Sequence, residues 1–202
     1  MKLYFAPNTR AVRIAWLLEE LGLDYTLERY TLGDPAMRAP EFRAVNPMGR
    51  VPVLQDGDVR LSESGAIVQY LLARHGDGAL QPGPDSPDFP AYLQWLHYAE
   101  GMLMPPINTI VVETILLPED RRSEPHVKRA VKLLGQMLQS IEAHMSDGRA
   151  FLANDFSGAD IMLGHAIAAA RRFGADFETL PHLSAYLDRL AARPAWQKAH
   201  SL

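Results

Sequence analysis

The chain has 202 residues and a formal net charge of -4, with acidic and basic residues interspersed, which is length enough for two modest domains that each bury a core. No basic stripe is present to neutralise phosphates or anionic lipid, which argues against nucleic-acid or membrane-surface binding as the main function. Cysteine is absent, so disulfides, thiolate metal sites and any cysteine nucleophile belonging to the protein are excluded.

The first segment, MKLYFAPNTR, lacks the apolar stretch of a secretion signal, and no later run approaches the ~20 apolar residues of a membrane span, so a cytoplasmic location is expected. Lys2 to Phe5 reads as a short strand. Ala11, Val12, Ile14, Ala15, Leu17, Leu18 and Leu21 then follow a helical apolar face, and Gly22 stands where a left-handed cap would stop it. Tyr25 to Arg29 alternates as a second strand. A polar loop with Gly33, Pro35 and Pro40 comes next, followed by a hairpin over Val51 to Leu61 turning at Asp56-Gly57. A helix from about Ser64 to Arg74 carries Ala66, Ile67, Tyr70 and Leu71 on its apolar side. The order read from the residues is β-α-β-(loop)-β-β-α.

From His75 to Pro90 the composition shifts to Gly, Pro and Asp, which is linker chemistry. Beyond it every pattern is helical: a long segment from about Ala91 interrupted by Pro105-Pro106, a second from about Glu124 to Met145, a third from Ser157 to Arg172 and a fourth from about His182 to Ala192. The expected domains are 1-76 and an all-helical 90-202, joined by 77-89. Ser157-Gly158-Ala159-Asp160 is a helix-capping signature, flanked by a Phe156/Ile161 staple, and capping accounts fully for its spacing. The histidines never fall three or four apart on one helix, so a metal site is not expected.

Pro52 interrupts the strand chemistry of Val51, Val53 and Leu54. Proline cannot donate to a ladder, so it belongs on an edge, at a bulge, or where the backbone meets something else. A cis bond there would let the N–H and C=O of Val51 face solvent, where an extended peptide can pair with them. A few residues on, Ser62-Glu63-Ser64-Gly65 runs from strand into helix. Free N–H groups and a hydroxyl at that helix start suit a carboxylate, and Glu63 suits an ammonium group. Together these features describe a site for a short zwitterionic peptide.

The pattern N-P-x-G-x-V-P-x-L over Asn46 to Leu54, the acid-Ser pair at 63-64, the Gly/Pro linker and the helical half with S-x-x-D resemble the cytosolic glutathione transferases, of a bacterial, non-cysteine type. The resemblance spans essentially the whole chain. It implies an α+β to mainly α protein: a thioredoxin-like N-terminal domain ordered β-α-β-α-β-β-α, with a cis Pro52, followed by an all-α bundle, usually as a homodimer. It also implies glutathione as co-substrate and no metal. Val51 would pair with the cysteinyl backbone beside Pro52, Glu63 and Ser64 would hold the γ-glutamyl amine and carboxylate, and Arg50 would stand near the glycyl carboxylate.

In this family a donor in the first loop stabilises the glutathione thiolate. Here Asn8, Thr9 and Arg10 each offer one; Thr9 is the first choice, with a helix N-cap as its structural alternative, whereas Tyr4 is expected to pack. The second, apolar electrophilic substrate would lie against Tyr98, Met102, Met104 and Pro105, although apolar residues at helical spacing usually face a core, here that of the bundle or a dimer. Trp95 is assigned to packing, and His97 is a residue that could approach a partner's ligand. Conjugation of glutathione to an electrophile is the expected activity. Glutathione-dependent disulfide or peroxide reduction, and a non-enzymatic interaction module on the same fold, are the alternatives.

Overall fold

In a computed structural model that describes residues 1–202, Lys2–Phe5 forms β1 at the middle of a four-stranded sheet. Ala11–Glu20 is α1 and Thr26–Arg29 is β2, which runs parallel to β1. A parallel pair needs a crossover, and α1 supplies it with eight successive buried residues, Ala11 to Leu18. Gly22 ends the helix at φ 63°, with the Leu23 N–H returning to Leu18 O at 3.0 Å, as the sequence predicts.

The segment expected to be a polar loop is partly helical. Pro35–Arg38 makes a tight turn that the Asp34 side chain caps at the Ala36 N–H, and Pro40–Val45 forms α2. Pro40 occupies the first helical position, where proline is preorganised rather than disruptive, and Phe42 anchors the helix by burial. Val53–Asp56 (β3) and Val59–Ser62 (β4) form the hairpin, antiparallel to each other and with β3 antiparallel to β1. The sheet order is β2-β1-β3-β4. Ser64–His75 is α3; it buries Ile67, Val68, Leu71 and Leu72, whereas Ala66 is exposed and Tyr70 half-buried, so its inner face is turned from the one expected. The element order is that of the thioredoxin-like fold.

The residues fall into two compact units, 1–81 with 191–202, and 82–190. The second unit is all helix. Phe89–Tyr98 (α4) continues through a wide turn, closed by the Met104 N–H on Ala99 O, into Met104–Val111 (α5). The interruption expected at Pro105-Pro106 is therefore absent. Both prolines fall in the first turn of α5 behind the wide turn, where a missing N–H is tolerated. A second wide turn, Val112–Leu116, precedes Glu124–Met145 (α6), Gly158–Arg172 (α7) and Pro181–Ala191 (α8).

Helix α7 is buried continuously from Gly158 to Ile167. Its start carries the expected cap: Asp160 Oδ2 accepts from the Ser157 N–H at 2.9 Å and from Ser157 Oγ at 3.1 Å. Oδ1 accepts from the Leu152 N–H at 3.0 Å and from the Tyr186 hydroxyl at 2.8 Å. A fully buried carboxylate is thus supplied with four donors, which is what its burial requires.

Residues 191–202, expected in the helical half, pack with the first unit instead. Pro194–His200 is α9, and Trp196 meets Trp16 of α1 edge to face at a centroid distance of 4.7 Å. Arg193 and Lys198 pair with Glu20 and Glu19 at 2.6 and 2.7 Å. No helix is long and apolar enough to cross a membrane.

Candidate functional site

Register brings three segments to one end of the sheet. Tyr4 lies opposite Val53, and Val53 lies opposite Ser62, so Ala6–Arg10, Arg50–Val51 and Glu63–Ser64 all leave the sheet at that end. These are the segments that carry the sequence-predicted residues.

The Val51-Pro52 bond is cis. The ladder of β3 begins only at Val53, so the N–H and C=O of Val51 take part in no strand pair. The Val51 side chain packs on a cluster of Tyr4, Met37, Phe42 and Val53, which fixes the residue from behind. Tyr4 is buried in that cluster, edge to face with Phe42, and so packs as expected.

Asn46 sets the approach to Val51, a role the sequence reading did not assign. Its Nδ2 donates to Arg50 O at 2.7 Å, its Oδ1 accepts from the Met48 N–H at 3.1 Å, and its carbonyl accepts from the Gly49 N–H at 2.8 Å. Gly49 has φ 63°, and a Cβ there would stand 2.6 Å from Met37 O, so only glycine fits the turn. The signal was legible as an Asx turn within Asn46-Pro47-x-Gly49. The Arg50 side chain is exposed.

At the start of α3, Glu63 adopts φ 70° with its carboxylate exposed. The first intrahelical bond runs from the Ile67 N–H to Glu63 O at 2.9 Å, so the N–H groups of Ser64, Gly65 and Ala66 precede it and point off the helix end. Ser64 is buried, and its Oγ accepts from Arg13 Nη1 at 3.0 Å. With the oxygen taken by a cation, the hydroxyl proton is left to donate elsewhere. Arg13 is fully buried within α1. It went unassigned in the sequence because a charged residue between Val12 and Ile14 reads as part of a solvent face.

In the first loop Asn8 is exposed at φ 61°, and Arg10 is partly buried. The Thr9 hydroxyl donates to Ala6 O at 2.7 Å and accepts from the Ala11 N–H at 3.2 Å, the capping role that stood as its alternative.

The four residues assigned to a second substrate lie in the second unit and divide. Met104 is buried among the helices, and the Tyr98 hydroxyl donates to Met137 O of α6 at 3.3 Å. Met102 and Pro105 are exposed, as is His97. Trp95 packs against Tyr98 and His144. No group of three or more His, Cys, Asp or Glu residues is placed to hold a metal ion.

Residues 1–73 match the family profile described as glutathione S-transferase, N-terminal domain, and residues 103–194 match that of the C-terminal domain. Glutathione S-transferase 4 of Zea mays is 37% identical over 187 residues, covering 90% of this chain and 82% of the maize protein. A glutathione S-transferase of Hyoscyamus muticus is 30% identical, covering 98% of this chain and 97% of its own. Among solved structures, a sphingomonad glutathione S-transferase complexed with glutathione superposes with a TM-score of 0.85 at 26% identity, over 100% of this chain and 98% of that one. A glutathione transferase from Methylococcus capsulatus gives 0.86 at 29% identity, over 99% and 97%. These relatives span plants and bacteria, so the similarity does not single out a bacterial branch.

Proposed function

The chain belongs to the glutathione S-transferase family, and on that premise we propose that it binds glutathione along Val51, Glu63 and Ser64 and joins the glutathione sulfur to a carbon of an apolar electrophile. The observation that carries the reading is the end of the sheet itself, where an unladdered main chain at Val51 leaves the sheet at the same end as a helix start whose first N–H groups lie outside the helix ladder and whose buried Ser64 hydroxyl keeps a proton to donate. An extended peptide finds main-chain partners at Val51, a carboxylate finds donors at Ser64, and an ammonium group finds the Glu63 carboxylate. Arg50, exposed after the Asn46 turn, is our candidate partner for the glycyl carboxylate.

Catalysis follows from positioning and from removal of one proton. Free thiols ionise near ~8.5, and a donor in the Asn8-Thr9-Arg10 loop, together with the start of α1, holds the sulfur as thiolate at neutral pH. The thiolate attacks the electrophilic carbon, a C–S bond forms, and either a halide leaves or an activated alkene takes up a proton. Tyr98, Met102, Met104 and Pro105 are our candidates for contact with the electrophile, Met102 and Pro105 foremost because they are exposed. Function as a homodimer in the cytoplasm belongs to the same reading.

Calorimetric titration with glutathione, paired with conjugation of an aryl halide, tests it. Wild type is expected to bind and to conjugate, and Ser64→Ala to bind about tenfold more weakly, the size of one hydrogen bond to a charged group. Binding without conjugation, together with turnover of a mixed disulfide or hydroperoxide, would replace transfer by reduction. No binding at all would leave an interaction module.

A further inference from the structure

Helix α1 is covered on every side. Ala11 to Leu18 are buried without a break, although a helix lying on a sheet would leave an outer stripe to water. Part of that cover is α9, whose Trp196 meets Trp16 edge to face at 4.7 Å. The last turn of α1 carries Glu19 and Glu20 and no basic residue, so two carboxylates stand at the negative end of the helix, with side chains only 14% and 10% exposed. Their cations, Lys198 and Arg193, come from α9 and the residue before it. Glu20 is the more fully held. Arg193 Nε donates to Oε1 at 2.6 Å and Nη2 to Oε2 at 2.7 Å, and Trp16 Nε1 donates to Oε1 at 2.8 Å. A two-pronged pair of guanidinium and carboxylate fixes direction as well as distance.

The other end of α1 opens from the Asn8-Thr9-Arg10 loop. Its first turn holds no acidic residue, so the positive end of the helix is left to act on an anion from outside. Between the two ends, Arg13 Nη1 donates to Ser64 Oγ at 3.0 Å and ties the helix to α3. A rigid helix held there behaves as a lever. Glu20 lies seven residues beyond Arg13 and Thr9 four before it, which makes arms of about 10 Å and about 6 Å. A shift of about 1 Å at Glu20 therefore swings the first loop by about 0.6 Å, enough to disturb a reacting geometry. Val51 and Glu63 do not ride on α1, and Ser64 sits at the pivot. Such a swing changes the surroundings of the sulfur and leaves the peptide contacts in place.

We propose that Arg193 is a positioning residue for the thiolate of bound glutathione, acting through Glu20 and the length of α1. The proposal rests on the glutathione reading of the site. It separates ionisation and turnover from affinity, which a residue that only holds the fold together does not do.

The test compares wild type, Arg193→Gln and Arg193→Lys. Calorimetry reads glutathione affinity, thiolate absorbance reads the pKa of the bound thiol, and conjugation of an aryl halide reads kcat. Arg193→Gln is expected to lose about tenfold in kcat and to raise the pKa of the bound thiol by about 1, while affinity stays within about threefold of wild type. Arg193→Lys keeps the charge but not the fork, and is expected to lose about threefold in kcat at unchanged affinity. It decides the matter if Arg193→Gln does not fold. Wild-type kcat and thiol pKa in a variant whose melting temperature has fallen would overturn the proposal. So would affinity and kcat falling together, or failure of both variants to fold, since each makes Arg193 a residue of the scaffold. A wild type that binds no glutathione would instead refute the function proposed above, so the two failures are told apart.

Discussion

Thr9 and Ala6 are joined across the first loop by a 2.7 Å hydrogen bond, in which the Thr9 hydroxyl is the donor and the Ala6 carbonyl the acceptor. The same hydroxyl oxygen accepts the Ala11 N–H, so Thr9 shapes the start of α1 as the molecule stands. To stabilise a thiolate, the proton must rotate away from Ala6, exchanging a neutral acceptor for a charged one, which is the stronger bond. Thr9→Ala is therefore expected to lower thermal stability by about 1 kcal/mol through the lost cap. It should also lower kcat/KM for an aryl halide by about 10² and move the thiol pKa of bound glutathione back toward ~8.5. Thr9→Ser should retain all three properties. Thiolate absorbance of the complex against pH reads the result; an unmoved thiol pKa in Thr9→Ala would pass the role to Asn8 or Arg10.

Asp160 supplies four acceptor contacts at the start of α7, to Leu152, Tyr186 and twice to Ser157. Asp160→Ala strands buried donors on three residues at once, and a loss of about 3–5 kcal/mol is expected. Ser157→Ala removes only the hydroxyl and should cost about 1 kcal/mol. Denaturant unfolding distinguishes the two; equal and small losses would show that the cap is satisfied some other way.

Glu142 caps α8 from α6. Its carboxylate accepts from the N–H groups of Leu183 and His182 and from His182 Nδ1, at 2.8, 3.1 and 2.6 Å. Burial raises its pKa, but the Leu183 N–H, the His182 ring and the His182 N–H outweigh burial and hold it below the ordinary value. A carboxyl with a depressed folded pKa contributes stability that is fully present above its unfolded value of about 4.3 and is lost as pH falls through the folded one. The melting-temperature gap between wild type and Glu142→Gln should thus be widest above about pH 5 and close on acidification. A gap independent of pH would contradict the assignment.

Features that depend on near neighbours in the chain were legible in the sequence. The stop at Gly22 and the Ser157–Asp160 cap each rest on a few consecutive residues whose chemistry admits few conformations, whereas the cis form of Val51-Pro52 was expected from the family resemblance. What escaped depends on partners far along the chain or on the terms of a local break. Pro40 and the Pro105-Pro106 pair looked like interruptions, yet proline is admitted at a first helical turn, and the wide turn before α5 provides one. Arg13 went unassigned because its acceptor, Ser64, is 51 residues away. The return of α9 to α1 is equally long-range, resting on Trp196 against Trp16 and Arg193 against Glu20.

Hydrogen exchange at the Val51 amide is the most direct probe of ligand docking. In the free protein that N–H lies outside the ladder, which starts at Val53, and should exchange quickly; saturating glutathione should slow it as the peptide pairs with residue 51. Unchanged exchange at Val51, with protection appearing at other amides instead, would mean that glutathione binds somewhere else on the molecule.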